Sequence, residues 1–223
     1  MPLKPQPPQQ TPILYLITSG ETTRETTPSS EEFERIVSLT AAAVAARIHL
    51  IQLREKNLTA RTLYELAARA ARLTEGSDTR LLVNDRADIA RAAGADGVHL
   101  TTRSLEAGVV RRAFGDDFLI GVSAHSLAEA SSAERAGADF ATFGPVFDTP
   151  SKRAYGQPTG LDALTEAART LAPFPLLALG GITVENAHDA LRAGADGLAA
   201  IRLFNDAQAL QEIVESLRPD AEA

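Results

Sequence analysis

The chain contains no cysteine, which excludes disulfide staples and thiolate chemistry and fits a reducing, cytoplasmic setting. It also lacks a long apolar run: no segment approaches the ~20 consecutive apolar residues that a membrane-spanning helix needs. The opening stretch MPLKPQPPQQT, residues 1–11, is rich in Pro and Gln and carries none of the apolar core of a signal peptide. It reads as a disordered lead-in. Positive charge is in deficit, with 22 Lys and Arg against 29 Asp and Glu and a net charge of −7. That balance argues against nucleic-acid or anionic-membrane partners while leaving room for a local basic pocket. No G-x-G-x-x-G follows the first apolar run, which weighs against a doubly wound dinucleotide-binding sheet.

What is present is an alternation. Short aliphatic runs occur at 13–18, 49–53, 80–84, 97–100, 118–122, 139–143, 175–179 and 197–201, each of strand length and apolar enough to be covered on both faces. Between and after them lie stretches with helical spacing, at about 30–47, 59–74, 86–93, 104–114, 126–136, 160–171, 183–193 and 206–217. Strict βα alternation means parallel strands joined by crossover helices, and eight such units close a barrel. The fold class predicted is therefore α/β, a single (β/α)8 TIM barrel over residues 12–218, with 219–223 as a C-terminal tail. An internal repeat supports it: RAAGADGVHL (91–100), RAGADFATFG (135–144) and RAGADGLAAI (192–201) share one grammar. Gly94, Gly137 and Gly194 stand where a helix ends with positive φ. Asp96, Asp139 and Asp196 then lead into strands, at the end of the barrel away from the chemistry, and read as structural.

Residues that carry chemistry in such a barrel lie at the C-terminal ends of the strands. In IQLREK, alternation places Gln52, Arg54 and Lys56 on one face, an amide and two cations suited to a multi-oxygen anion such as pyrophosphate. Asp85 is either a hard-cation ligand or the cap of the next helix, and Asn84 beside it is placed to hold a substrate or phosphate oxygen. His99, inside the fourth strand, reads as a buried, hydrogen-bonded histidine. After the fifth strand, Ser123 is placed to donate to a substrate oxygen and His125 to move protons near neutral pH. The sixth βα loop, GPVFDTPSKRAYGQPTG (144–160), is the longest and so has the mark of a functional loop. It offers Thr149, Ser151, Lys152 and Arg153 to a phosphate, with Gly144 and Gly156 as candidate hinges of a lid. Gly180 and Gly181 open the seventh helix, where exposed N–H groups bind anions, and Ile201 and Arg202 end the neighbouring strand. Two anion-binding zones in one mouth point to two phosphorylated small-molecule substrates, or to one carrying two phosphates.

Taken in order, QLREK (52–56), VNDR (83–86), ADGVHL (95–100), GVSAHS (121–126), FGPVFDTPSK (143–152), LGGI (179–182) and GADGLAAI (194–201) resemble the motifs of the thiamine phosphate synthases, over about residues 13–204. The resemblance implies an enzyme, a transferase that joins 4-amino-2-methyl-5-pyrimidinylmethyl diphosphate to a thiazole phosphate, giving thiamine phosphate and pyrophosphate. Gln52, Arg54, Lys56 and Asn84 would then bind the pyrimidine diphosphate, Asp85 would ligate Mg²⁺, and Ser123 would contact substrate. Thr149, Ser151 and Lys152 would close over the phosphates, and Gly181, Ile201 and Arg202 would hold the thiazole phosphate through their backbone. A homo-oligomer is left open.

The chain departs from the family at two points. After VHL the family carries Gly-Gln-Glu-Asp, whose Asp is a second Mg²⁺ ligand; here Thr101, Thr102, Arg103 and Ser104 follow. Arg202 stands where a Ser is usual. Ser104 is similar to the related thiazole tautomerases, which isomerise a thiazole carboxylate phosphate and in which the histidine matching His125 shuttles protons. Gln52, Arg54, Lys56 and Lys152, however, have no evident use in a tautomerase. A third reading, a non-catalytic sensor of thiazole or thiamine phosphate, rests on Ser104 alone and leaves the lid residues without a purpose.

Overall fold

The computed structural model describes residues 12–148 and 157–218. Eight parallel strands close into a barrel in sequence order: β1 (Ile13–Ile17), β2 (Leu50–Leu53), β3 (Arg80–Asn84), β4 (Gly97–Leu100), β5 (Leu119–Ala124), β6 (Phe140–Phe143), β7 (Leu176–Leu179) and β8 (Gly197–Ala200). A helix follows each: α1 (Glu31–Ala45), α2 (Ala60–Thr74), α3 (Ala87–Ala93), α4 (Ala107–Phe114), α5 (Leu127–Arg135), α6 (Gly160–Leu171), α7 (Val184–Arg192) and α8 (Leu210–Ser216). This is the (β/α)8 barrel expected from the alternation. Among the described residues no helix is long and apolar enough to cross a membrane.

Two cores follow from the two faces of each strand. Outward residues such as Leu16, Ile51, Val83 and Ala178 pack against the apolar stripes of the helices in one continuous layer. Inward residues fill the barrel itself, with Tyr15, Leu50, Leu82, Phe140 and Leu177 in its apolar part. Gly121 belongs to that filling by what it lacks. A Cβ there would lie 2.4 Å from the Phe140 ring and 2.7 Å from His99 Nδ1, so the missing side chain is the space these two rings occupy.

The repeated Asp residues do structural work at the barrel's N-terminal end. Asp96 N–H donates to Leu81 O while Leu81 N–H donates back to the Asp96 carboxylate, at 2.9 and 2.8 Å. The same reciprocal pair joins Asp139 to Ile120, at 2.8 and 2.7 Å, and Asp196 to Leu176, at 2.8 and 2.9 Å. A fourth copy uses His49, whose Nδ1 accepts from Leu14 N–H while its own N–H donates to Leu14 O, both at 3.1 Å. Burial holds His49 below the usual histidine range, which keeps that acceptor lone pair available. Each clamp ties the start of an odd-numbered strand to the residue just before the next strand. Arg111 reinforces the clamp at Asp139, donating to its carboxylate at 2.7 Å and to the carbonyls of Phe118 and Gly137.

Several boundaries differ from the sequence reading, among them three at the C-terminal mouth. β5 runs on to Ala124 because Ser123 stays in register with Thr142 on β6. α4 starts at Ala107 rather than near 104, because residues 101–104 form a turn in which Thr101 N–H donates to Ser104 Oγ at 2.6 Å. β8 stops at Ala200 and a short 3₁₀ turn, Arg202–Phe204, precedes α8.

Candidate active site

A file of polar side chains crosses the barrel interior at the mouth. Gln52 and Asn84 are buried, and Gln52 Nε2 donates to Asn84 Oδ1 at 2.9 Å. Asn84 Nδ2 donates to Asp85 Oδ2 at 3.0 Å. The Asp85 backbone sits at φ +60°, a left-handed conformation that Asp and Asn tolerate better than most residues. It turns the carboxylate outward, where Ser104 Oγ donates to Oδ1. On the other side Tyr15 O–H lies 3.2 Å from Gln52 Oε1 and 3.1 Å from His99 Nδ1, and His99 Nε2 lies 3.0 Å from Ser123 Oγ. Burial pushes the His99 imidazole down to about 3 and the Tyr15 phenol well up, so both are neutral near pH 7. The predicted residues Gln52, Asn84, Asp85 and Ser123 are thus brought together, linked by Tyr15 and His99.

The alternation used to align Gln52, Arg54 and Lys56 ends at Leu53, where β2 stops. Glu55 is then buried, accepting from Thr18 Oγ1 at 2.5 Å, Thr22 Oγ1 at 2.6 Å and Gly20 N–H at 3.2 Å. It fixes the loop after β1 against the loop after β2. Arg54 lies over Gly20, where a Cβ would come within 3.0 Å of the guanidinium. Lys56 is exposed in the turn before α2. Glu55, like Tyr15, escaped the sequence reading. The signal it gave was an acid between two cations in an otherwise basic stretch.

His125 lies at the mouth but outside the file. It is exposed, with its backbone N–H and its Nδ1 at 2.7 and 3.2 Å from the Glu129 carboxylate of α5. Gly180 and Gly181, at φ +98° and +68°, turn the chain from β7 towards α7. Asn186 Nδ2 donates to Gly181 O at 2.8 Å and Thr183 N–H to Asn186 Oδ1 at 2.8 Å, fixing the helix start. Ile201 and the exposed Arg202 stand beside this turn, at the end of β8, and Asn205 Nδ2 ties Ile201 O to Ile17 O across to β1.

The base of loop six is stitched to the same place. Val146 N–H donates to Leu179 O at 2.8 Å and Phe147 N–H to Gly180 O at 3.0 Å, while Thr159 N–H returns to Pro145 O at 2.8 Å. Gly144, expected as a hinge, has a packing reason instead: a Cβ there would stand 1.9 Å from Leu179 O. Thr149, Ser151, Lys152, Arg153 and Gly156 lie outside the described residues.

Thr142 also faces the barrel interior, beside Ser123, and is 1% exposed. Among the described residues its Oγ1 is the buried side-chain polar atom that has no hydrogen-bond partner. An unsatisfied hydroxyl costs about 1–3 kcal/mol, so Thr142→Val is expected to stabilise the protein by about 1 kcal/mol and raise Tm by about 2–4 °C in thermal unfolding. A fall in Tm would show that the hydroxyl is bonded in solution.

Asp85 offers the mouth one outward-facing carboxylate, and among the described residues no group of three or more His, Asp or Glu is arranged to hold a metal ion. Its surroundings are hard oxygens: the Ser104 hydroxyl, and Thr101 Oγ1 at 3.0 Å from it. Mg²⁺ keeps several waters and is commonly held by one or two carboxylates together with substrate phosphates. The donor set fits such a shared site, and it does not form an all-protein cage.

The chain is similar in sequence and fold to known proteins. The family model described as thiamine monophosphate synthase matches residues 14–204. A Geobacter sulfurreducens protein provisionally named thiamine-phosphate synthase is 50% identical over 166 residues, covering 74% of this chain and 78% of its own. The thiamine-phosphate synthase of Roseiflexus sp. is 39% identical over 189 residues, 85% of this chain and 76% of its own. Among solved structures, the thiamine phosphate pyrophosphorylase of Pyrococcus furiosus superposes with a TM-score of 0.73 at 30% identity, covering 94% of this chain and 98% of that one. With its motifs in order along a closed barrel, this chain belongs to the thiamine monophosphate synthase family.

Proposed function

We propose that the protein couples the diphosphate of an aminopyrimidine methanol to a thiazole phosphate, releasing pyrophosphate and forming thiamine phosphate. The observation that carries this reading is the pairing of two polar zones at one barrel mouth. One is the Gln52–Asn84–Asp85 file; the other is the turn of backbone N–H groups at Gly180 and Gly181 that opens α7. The first suits a diphosphate with its counter-ion, the second a monophosphate monoester.

In the reaction the carbon–oxygen bond to the diphosphate breaks, and its electron pair leaves with pyrophosphate. The pyrimidine methyl carbon becomes a cation, stabilised by its amino-substituted ring, and the thiazole nitrogen then supplies the pair for the new carbon–nitrogen bond. No covalent nucleophile is required. The protein's tasks are to orient two substrates and to neutralise the leaving group. Arg54, Lys56 and Lys152 take the diphosphate oxygens, with Thr149 and Ser151 donating from loop six. Gln52 and Asn84 hold the pyrimidine half, and Ser123 faces the reacting centre. Gly181, Ile201 and Arg202 hold the thiazole phosphate. Asp85 would hold Mg²⁺, with Ser104 orienting its carboxylate; when bound, the metal supplies positive charge to the departing diphosphate. Exposed and paired with Glu129, His125 has no assigned step in this coupling.

The decisive experiment supplies both substrates with Mg²⁺ and follows thiamine phosphate. Mg²⁺-dependent product is the expected result. Turnover of the thiazole carboxylate phosphate in its place would move the chain to the tautomerase reaction and give His125 the central role. Product binding without turnover of either substrate set would make it a sensor. Lys152→Ala is expected to lower kcat/KM by about 10²–10³-fold, the size of one lost transition-state contact to developing charge. Unchanged coupling would remove Lys152 from the assignment.

A further inference from the structure

The hydrogen bonds that cross the barrel have a direction, and it can be derived from one end. Both Asp85 carboxylate oxygens accept: Oδ1 takes the Ser104 hydroxyl, and Oδ2 takes the Asn84 amide nitrogen, at 3.0 Å. The Asn84 oxygen therefore faces Gln52 and accepts from its amide nitrogen, at 2.9 Å. That leaves the Gln52 oxygen facing Tyr15, whose hydroxyl has a single proton and gives it to this oxygen, at 3.2 Å. Tyr15 oxygen then has only lone pairs for His99 Nδ1, at 3.1 Å, so the proton of the neutral imidazole sits on Nδ1. Nε2 is left with a lone pair and accepts the Ser123 hydroxyl proton, at 3.0 Å. Each step is forced by the one before it. Reversing any of them would set two donors or two lone pairs against each other among buried groups, where mismatches are costly.

We propose that Tyr15 and His99 are positioning residues that turn the Ser123 proton inward, so that Ser123 presents lone pairs to the mouth and its subsite takes an N–H donor of the substrate. This reverses the direction expected from the sequence alone, in which Ser123 donates to a substrate oxygen. It rests on the proposed coupling reaction for the identity of the donor, and the amino substituent of the pyrimidine is a group of that class. An analogue with a carbonyl oxygen in that position would set lone pairs against lone pairs and be rejected. Tyr15 and His99 do this from below, at 0% and 2% exposure and in ring contact with each other and with Phe140.

The tautomer is directly measurable. In the full chain with ¹⁵N-labelled imidazoles, long-range proton–nitrogen correlations distinguish the two ring nitrogens of each of the four histidines. His99 is identified by its contacts with the Tyr15 and Phe140 rings. The expected result is a proton on Nδ1 and none on Nε2; a proton on Nε2 in the unmodified protein overturns the proposal, whatever reaction the enzyme catalyses. Tyr15→Phe keeps the ring and removes the link. It is expected to shift His99 towards the Nε2–H form and to raise KM for the aminopyrimidine diphosphate about three- to tenfold, the worth of one neutral hydrogen bond. KM for the thiazole phosphate should stay unchanged. Equal increases in both KM values would indicate a structural role only and overturn the positioning role. Absence of coupling in the unmodified enzyme would defeat the activity reading and leave the tautomer result to decide the polarity.

Discussion

Asp85→Asn is expected to reduce Mg²⁺-dependent coupling by about a hundredfold or more while leaving Tm within about 2 °C of the parent. The two halves of the expectation come from different features of one residue. Its backbone is left-handed, at φ +60°, a conformation Asn adopts as readily as Asp, so the turn between β3 and α3 is not strained by the change. An amide oxygen in the place of Oδ2 still accepts from Asn84, so the buried file keeps its last bond. What disappears is the negative charge, the feature of this donor set most needed to hold a divalent cation against water. A titration of initial rate against Mg²⁺ concentration checks it. If Asp85→Asn saturates at the same Mg²⁺ concentration and reaches the same rate, Asp85 is not the metal ligand.

Gly144→Ala is expected to cost about 3 kcal/mol, lowering Tm by about 6–12 °C. The added methyl would stand 1.9 Å from Leu179 O and 2.9 Å from Leu179 C. Both are backbone atoms of a neighbouring strand and cannot rotate aside. Gly144 is also held from the other flank, its N–H donating to Ala124 O at 3.1 Å. Relief therefore requires β6 and β7 to separate at the mouth, which would break the bonds from Val146 and Phe147 that seat loop six on Leu179 and Gly180. Gly76→Ala is the control: its φ is +75° but nothing lies within 4 Å of the new Cβ, so it carries only the left-handed penalty of about 1–2 kcal/mol. Thermal unfolding of the pair separates crowding from conformational strain. Equal losses would mean that the barrel opens easily at β6 and β7.

The fold was legible in the sequence because the period of apolar residues, strand then helix, is repeated eight times and each repeat supports the others. The eight strands and eight helices fall where the aliphatic runs and Ala-rich stretches place them. The G-A-D repeat foretold a structural Asp at the base, and three such Asp residues clamp there. The fourth clamp was hidden, because His49 does the same with a ring nitrogen and shares no motif with the others. At the mouth the reading was less complete. Position along the chain put Gln52, Asn84, Asp85 and Ser123 at the mouth, and the structure brings them together there. Tyr15 was not legible, since one hydroxyl in the run ILYLI looks like core filling until the register sets it opposite Gln52 and His99. Alternation also carried no information past Leu53, where the backbone leaves the sheet and Glu55 rather than a cation turns inward.

The clamps at the base have a consequence for how the chain tolerates being cut. They join β1 to β2, β3 to β4, β5 to β6 and β7 to β8, through His49, Asp96, Asp139 and Asp196, so the contiguous unit that contains both halves of a clamp is two strands with the helix between them. The barrel is in this sense four such modules laid side by side. A circular permutant opened after β2 or β4 would keep every clamp within an unbroken segment, whereas one opened after β1 or β3 would ask the two new ends to find each other before the clamp could form. Permissive and restrictive breakpoints should therefore alternate around the ring with the parity of the strand.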